Sequence, residues 1–485
     1  MYLPHIAIII VALSVILLWL AGNVRQDQKL ERASAPAIIL AIWVIASAVF
    51  GPNFFVLRIA GLFDIFLERL FFVLILVVML VGFFQGRLRF RGNFIIELVM
   101  GCFVLVCILS MMRTGFFPTA FKLPSPWFAF IMGYLFPFIV FIFAKNYIAS
   151  EKDVTTIFHA LFFFGIYLCI ISFFEYANLR QYVFPSYIND PAISTLHLER
   201  ARGPFLNSAF NGVAILIGFI SGLHLLQNKT GFARYFHLTA LLLFFPAVFF
   251  TLTRSVYLGM IITLIIFLVW YKTPVSKWRL ISLPLAIVLI LGVALSPRLL
   301  STERREGGVL QVQEVDIRFA LLQRSYHLFT LQPLTGVGLA QFIPASVYTR
   351  SGKLPFVVEE AGTQFQHNHL LGIATELGIP GILIYLVLII LILRRLRQLA
   401  GKLPETGVMG NNLRIVILAI WCVYLNNNLF VEPSNAVFVN AVPFLFAGLV
   451  DGIYTRSLQA ESLMSSQQSD PASRQSPMRL MTRHV

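Results

Sequence analysis

The chain has 485 residues, of which 58% are hydrophobic and only 12% charged. A soluble chain would carry roughly twice that charge fraction, so composition excludes a soluble globular protein and points to many membrane spans. The net charge of +15 does not indicate nucleic acid, because the basic residues lie mostly in short loops between apolar runs, the pattern that sets topology in membrane proteins.

A run of about 20 apolar residues crosses a bilayer as a helix. The first such run, 4–22, has no positive charge before it and "NVRQDQKLER" after it. That order is the reverse of a signal peptide and predicts an uncleaved first span with its N-terminus outside. Further spans are predicted near 35–51, 66–84, 94–112, 127–148, 154–176, 208–226, 235–252, 255–271, 279–297, 369–393, 411–431 and 434–454. The fold class is all-α, a polytopic membrane protein with about 12–13 transmembrane helices.

The basic loops "VRQDQKLER", "QGRLRFRGN", "AKNYIASEK", "QNKTGFAR", "YKTPVSKWR" and "RRLRQLAGK" then fall on one side, assigned to the cytoplasm. Two long connections fall on the other side, 176–207 and 296–368. The second holds roughly seventy residues, and loops of that length are usually functional. Within it "VDIRFALLQRSYHLFTLQ" reads as helical. The tail from Thr455, rich in Ser, Gln, Arg and Pro, is expected to be disordered. Cys102, Cys107, Cys169 and Cys422 all sit in apolar runs, which implies neither a disulfide framework nor a zinc cluster.

The stretch "TQFQHNHLLGIATELGIPG", Thr363 to Gly381, places His367, Asn368 and His369 at the non-cytoplasmic end of a span. A histidine with an ordinary pKa near ~6.5 suits a general base. His-x-His is not the helical His-x-x-x-His pair of a zinc site. A lone interfacial histidine is more often a packed or hydrogen-bonded residue. Arginines change the balance. Arg254, in "FFTLTRSVYLGM", is pinched between two spans on the same face, and a charge at membrane depth needs a partner or a function unless it snorkels to the interface. Arg318 and Arg324 stand six apart on the loop helix, about 120° around its axis, so one faces a ligand while the other need not. Arg200 and Arg202 add charge to the shorter external loop. Several guanidiniums and one base at the outer face suit an anionic, lipid-linked ligand. The sequence has no Asp-x-Asp pair to hold a divalent ion on a diphosphate; Glu314 and Asp316 come nearest. No metal or other cofactor is expected. Gly378, Pro380 and Gly381 lie inside the span, where close helix packing and a local kink are expected.

His367-Asn368, nine residues, Gly378, two residues and Gly381 reproduce a family signature. On this motif the chain resembles the bacterial O-antigen ligases and the related O-antigen and exopolysaccharide polymerases. "RARGPFLNSAFNGVAIL", "TLTRSVYLG" and "RFALLQRSYHLFTLQPLTGVGLAQF" resemble other family segments in the same order, so the resemblance covers about residues 200–395. It divides the chain into N-terminal helices (1–200), a ligase-like core (201–395) with a large periplasmic loop (298–368), C-terminal helices (396–454) and a tail (455–485). The resemblance implies a metal-independent glycosyltransferase of the bacterial inner membrane, active on the periplasmic side. Its donor would be a glycan on undecaprenyl diphosphate, and its acceptor lipid A–core or a second lipid-linked glycan. His367 would be the catalytic histidine, supported by Asn368 and His369, and Arg254 and Arg318 would bind the diphosphate. Arg324 is added to that set from its position on the loop. A polymerase, and a transporter or flippase of a lipid-linked sugar, are the competing expectations; the latter would more often show inverted repeats and broken mid-membrane helices.

Overall fold

The computed structural model describes residues 33–57, 65–86, 94–116, 123–272, 312–350, 352, 354–433 and 436–469. Among them the chain is helical and, apart from one isolated bridge between Leu57 and Ile65, without strands. The first group of helices is α1 (Ala35–Val49), α2 (Leu67–Phe84), α3 (Ile95–Thr114) and α4 (Pro126–Tyr147). Then come α5 (Glu151–Tyr176), α6 (Ser208–Leu226), α7 (Gly231–Phe250) and α8 (Arg254–Trp270). Within the long loop lie α9 (Val312–Leu331), α10 (Phe342–Tyr348) and α11 (Phe356–Ala361). The chain returns to long helices with α12 (His369–Gln398), α13 (Asn412–Asn428) and α14 (Val437–Ser469).

Among the described residues eight helices are long and apolar enough to cross a membrane, so the chain is a multi-pass membrane protein. Every predicted span that falls on described residues coincides with a helix: α1 to α8 and α12 to α14. The predicted spans 4–22 and 279–297, and with them the orientation of the N-terminus, lie outside the described residues. One expectation is corrected. Helix α14 continues to Ser469, through the first part of the segment expected to lack order; residues 470–485 lie outside the described residues.

Polar residues set the helix starts. Ser150 and Asp153 cap α5 reciprocally, side chain to backbone in both directions, which satisfies two otherwise orphaned N–H groups. Asn207 accepts from Ala209 and Phe210 at the start of α6. The interior is aromatic and aliphatic: Phe141 and Phe143 of α4, Phe158 and Phe162 of α5, and Trp421 of α13 are almost fully buried. Helix α6 is buried along nearly its whole length. On α2 and α3, by contrast, Val73, Leu80, Phe84, Leu98, Leu105 and Met112 are exposed, as expected of helices that face lipid and gain nothing by hiding apolar side chains.

The loop helices α9 to α11 build a small core of their own from Ala320, Leu321, Leu328, Phe342, Ile343, Val358 and Ala361. This subdomain sits at the end of the bundle where α8 and α12 begin and α3 and α13 finish. At the opposite end, Asp451 of α14 is fully buried between Lys145 of α4 and Arg395 of α12, and Lys145 also pairs with Glu97 of α3.

Candidate functional site

Asn368 is the N-cap of α12. Its Oδ1 accepts the Leu371 N–H at 2.9 Å, and its Nδ2 donates to the Leu429 carbonyl at 3.3 Å. Each end of the amide thus makes one bond that fixes where the helix begins. In this position the side chain also holds the backbone next to the half-buried His367, the residue just before the cap. His369 turns away into the bundle. It is 2% exposed, stacked on Tyr134 at 6.0 Å and set edge-on to Tyr385 at 5.6 Å. Its surroundings are those of a core histidine rather than of a second site residue.

Arg254 opens α8, half-buried. No side chain caps that helix, so its positive N-terminal end adds to the arginine's charge. The last turn of α13 joins this residue to the histidine. Asn426 donates to the Ser255 carbonyl at 2.7 Å, and Leu429 accepts from Asn368. Asn426 and Leu429 are one helical turn apart, so the starts of α8 and α12 meet beside the same turn. Arg254 and His367, 113 positions apart in sequence, therefore share one end of the bundle.

Arg318 of α9 comes to the same place. Burial pulls its guanidinium below the ordinary range, and the nearby Arg254 charge pulls it further. Arg200, from the 178–207 connection, is lowered to about 10 by burial and by Arg318, against the opposing pull of Glu199 and Tyr257. Arg200 and Arg318 both remain cationic at neutral pH. Among the described residues neither Arg254 nor Arg318 forms an ion pair. Cations held together without partners repel each other, and an anion relieves that cost.

Arg324 does not belong to this group. It is fully buried, and its Nη2 donates to the Ser346 carbonyl and, at 2.8 Å, to Thr349 Oγ1. It braces α10 against α9 inside the loop subdomain, which corrects its expected role on the diphosphate. Ser325, its neighbour, accepts from Gln366 at 3.1 Å through its hydroxyl and from Thr375 at 3.3 Å through its carbonyl. These bonds hold α9 against α12 directly beside His367.

The glycines of the signature also differ from expectation. Gly378 breaks the ladder of α12 with φ 69° and ψ −166°, a conformation open essentially to glycine alone. The predicted kink is there. The close approach, however, is to the loop and not to another helix. Ile379 N–H donates to the Pro333 carbonyl at 2.8 Å, and Val337 and Gly338 donate to the Thr375 and Glu376 carbonyls, each at 2.9 Å. A Cβ on Gly378 would stand 2.7 Å from the Leu334 carbonyl. The "PLTGVG" turn is thus docked backbone to backbone on the signature glycine. At Gly381, which is buried, an added Cβ would first meet Leu377 of its own helix.

Several contacts that hold this arrangement escape sequence reasoning. Glu376, buried in α12, accepts the Ala340 N–H at 2.8 Å and the Phe342 N–H at 3.2 Å; these are its partners. Arg113 at the end of α3 clasps the same turn through Thr335 and Gly336, and Ser110 accepts the Leu339 N–H at 3.0 Å. Arg202 is fully buried and donates to the carbonyls of Ile188, Ser194 and Leu196. A charged residue at the end of an apolar run was the visible signal for Arg113, but nothing local names its partner. Among the described residues no three His, Cys, Asp or Glu side chains cluster as metal ligands would.

A multi-pass helical bundle with a folded loop subdomain brings arginines without an ion pair among the described residues and the half-buried His367 to a single end, an arrangement suited to an anionic ligand. Residues 239–386 match the family model described as O-antigen ligase, so this part of the chain is similar to that family. Among curated proteins none matches the chain. The matched segment contains Arg254, Arg318 and the whole His367–Gly381 signature. It begins at 239 rather than at 200, so the "RARGPFLNSAFNGVAIL" segment lies before it.

Proposed function

We propose that the protein transfers a glycan from undecaprenyl diphosphate to an acceptor hydroxyl, at the periplasmic face of a bacterial inner membrane and without a metal. The observation that supports this reading best is the set of unpaired arginines gathered where His367 is presented. His367 takes the proton of the acceptor hydroxyl. The freed oxygen bonds to the anomeric carbon, and the bond from that carbon to the diphosphate oxygen breaks. Its electron pair leaves on undecaprenyl diphosphate, whose growing charge Arg254 and Arg318 stabilise from preorganised positions. Attack opposite the leaving group inverts the anomeric centre. The acceptor is lipid A–core; a polymerase would use a second lipid-linked glycan at the same site.

The test is transfer by the purified full chain in lipid, with EDTA present, donor supplied, and each acceptor offered separately. Product on lipid A–core is expected. Chain growth on the lipid-linked acceptor would make the protein a polymerase instead, and no product with either acceptor would favour a transporter. His367→Ala is expected to abolish transfer with membrane protein level unchanged. Arg254→Lys, which keeps the charge but loses the bidentate fork, is expected to lose most of it. Wild-type rates in both variants would refute the assigned roles.

A further inference from the structure

We infer that the pocket formed by residues 195–200 and Leu252 holds the sugar next to the diphosphate of the lipid-linked donor, with Arg200 as an additional arm on that diphosphate. This rests on the reading above and deepens it.

The pocket has a volume of about 290 Å³ and is lined by Thr195, His197, Leu198, Glu199, Arg200 and Leu252. That size stands at the lower end of small-ligand sites, about 300–1,000 Å³. Its lining combines a hydroxyl, an imidazole, a carboxylate and a guanidinium with two leucines. Such a set donates to and accepts from sugar hydroxyls while offering apolar contact to a ring face.

Two observations tie the pocket to the arginine site. Its Arg200 faces the charge of Arg318, which in turn faces Arg254. Its His197 Nδ1 is 2.8 Å from Ser208 Oγ, which is 2.9 Å from Thr253 Oγ1, the residue before Arg254. The Ala201 N–H adds a 3.0 Å bond to the Phe250 carbonyl. The wall is also preformed, because Arg202 holds the 188–196 backbone from inside. His197 and Leu252 both have left-handed backbones, φ 58° and 46°. Non-glycine residues adopt that conformation at a cost, and such strain collects at ligand sites. A diphosphate on the arginines carries the polyprenyl chain on one side and a sugar on the other. The pocket beside Arg200 is where that sugar fits. Five of its six lining residues precede the family-matched segment, as suits a part that sets which glycan is accepted.

The experiment measures binding without acceptor. The full chain in nanodiscs is titrated with undecaprenyl diphosphate and with undecaprenyl diphosphate carrying glucose, galactose, N-acetylglucosamine or N-acetylgalactosamine. The wild type is expected to bind at least one sugar-bearing lipid about tenfold more tightly than the bare one. Thr195→Ala, at an exposed position, is expected to erase that advantage and leave the bare lipid's affinity unchanged; Glu199→Gln is expected to erase it too, with the bare lipid bound at least as tightly because the carboxylate opposing Arg200 is gone. Arg254→Ala should weaken both lipids. An advantage that survives both pocket variants, or a wild type that shows none, overturns the pocket assignment while leaving the diphosphate site standing. A wild type that binds neither lipid overturns the parent reading and the pocket with it.

Discussion

Arginines close in sequence end in opposite roles here, and burial decides which is which. Arg202 and Arg324 are fully enclosed; Arg202 gives its N–H groups to carbonyls of its own loop, and Arg324 gives Nη2 to the Ser346 carbonyl and the Thr349 hydroxyl. Arg200 and Arg318 are half-buried and face other cations. A fully buried guanidinium bonded to its own loop is a brace; a half-buried one facing like charge suits an anion. Arg324→Ala should therefore destabilise the loop subdomain by about 1–3 kcal/mol, the cost of leaving buried partners unpaired, and leave affinity for undecaprenyl diphosphate unchanged. Arg318→Ala should do the reverse. Thermal unfolding with and without the bare lipid distinguishes the two, and an Arg324→Ala protein that keeps its melting temperature but loses the ligand would contradict the brace.

At the scale of elements, the start of α12 is what holds the candidate site together. Asn368 fixes the helix register, and the broken turn at Gly378 receives the loop backbone. Asn368→Ala should cost about 1 kcal/mol of cap energy, and Asn368→Ser should restore most of it. If serine does not restore transfer, the amide acts on substrate and not on the helix. Gly378→Ala forces a side chain into a glycine-only conformation and against the Leu334 carbonyl, at about 1–3 kcal/mol for the backbone alone. The loop should then detach, with faster proteolysis between α9 and α11 and loss of transfer. A protected loop in that variant would show that the docking is dispensable.

For the whole molecule, the two ends of the bundle do different work. One end gathers unpaired cations beside His367. The other closes its charges on each other around Asp451. Removing one partner of a buried pair costs about 3–5 kcal/mol. Asp451→Ala should thus lower stability in detergent sharply while leaving lipid diphosphate affinity at the far end unchanged in the protein that remains folded. Equal loss of both would mean that the two ends are coupled.

The spans were legible from sequence because the bilayer imposes one local rule, about 20 apolar residues with every backbone group paired inside its own helix. The His367–Gly381 motif and Arg254 were legible because a charge or imidazole at the end of an apolar run is conspicuous against its neighbours. The role of Gly378 was not, since a kink shows locally but the turn it receives comes from forty residues upstream. Nor could spacing separate Arg318 from Arg324, or Arg200 from Arg202. Those assignments depend on which carbonyls and which charges fold back to meet each guanidinium, and only the tertiary structure supplies them.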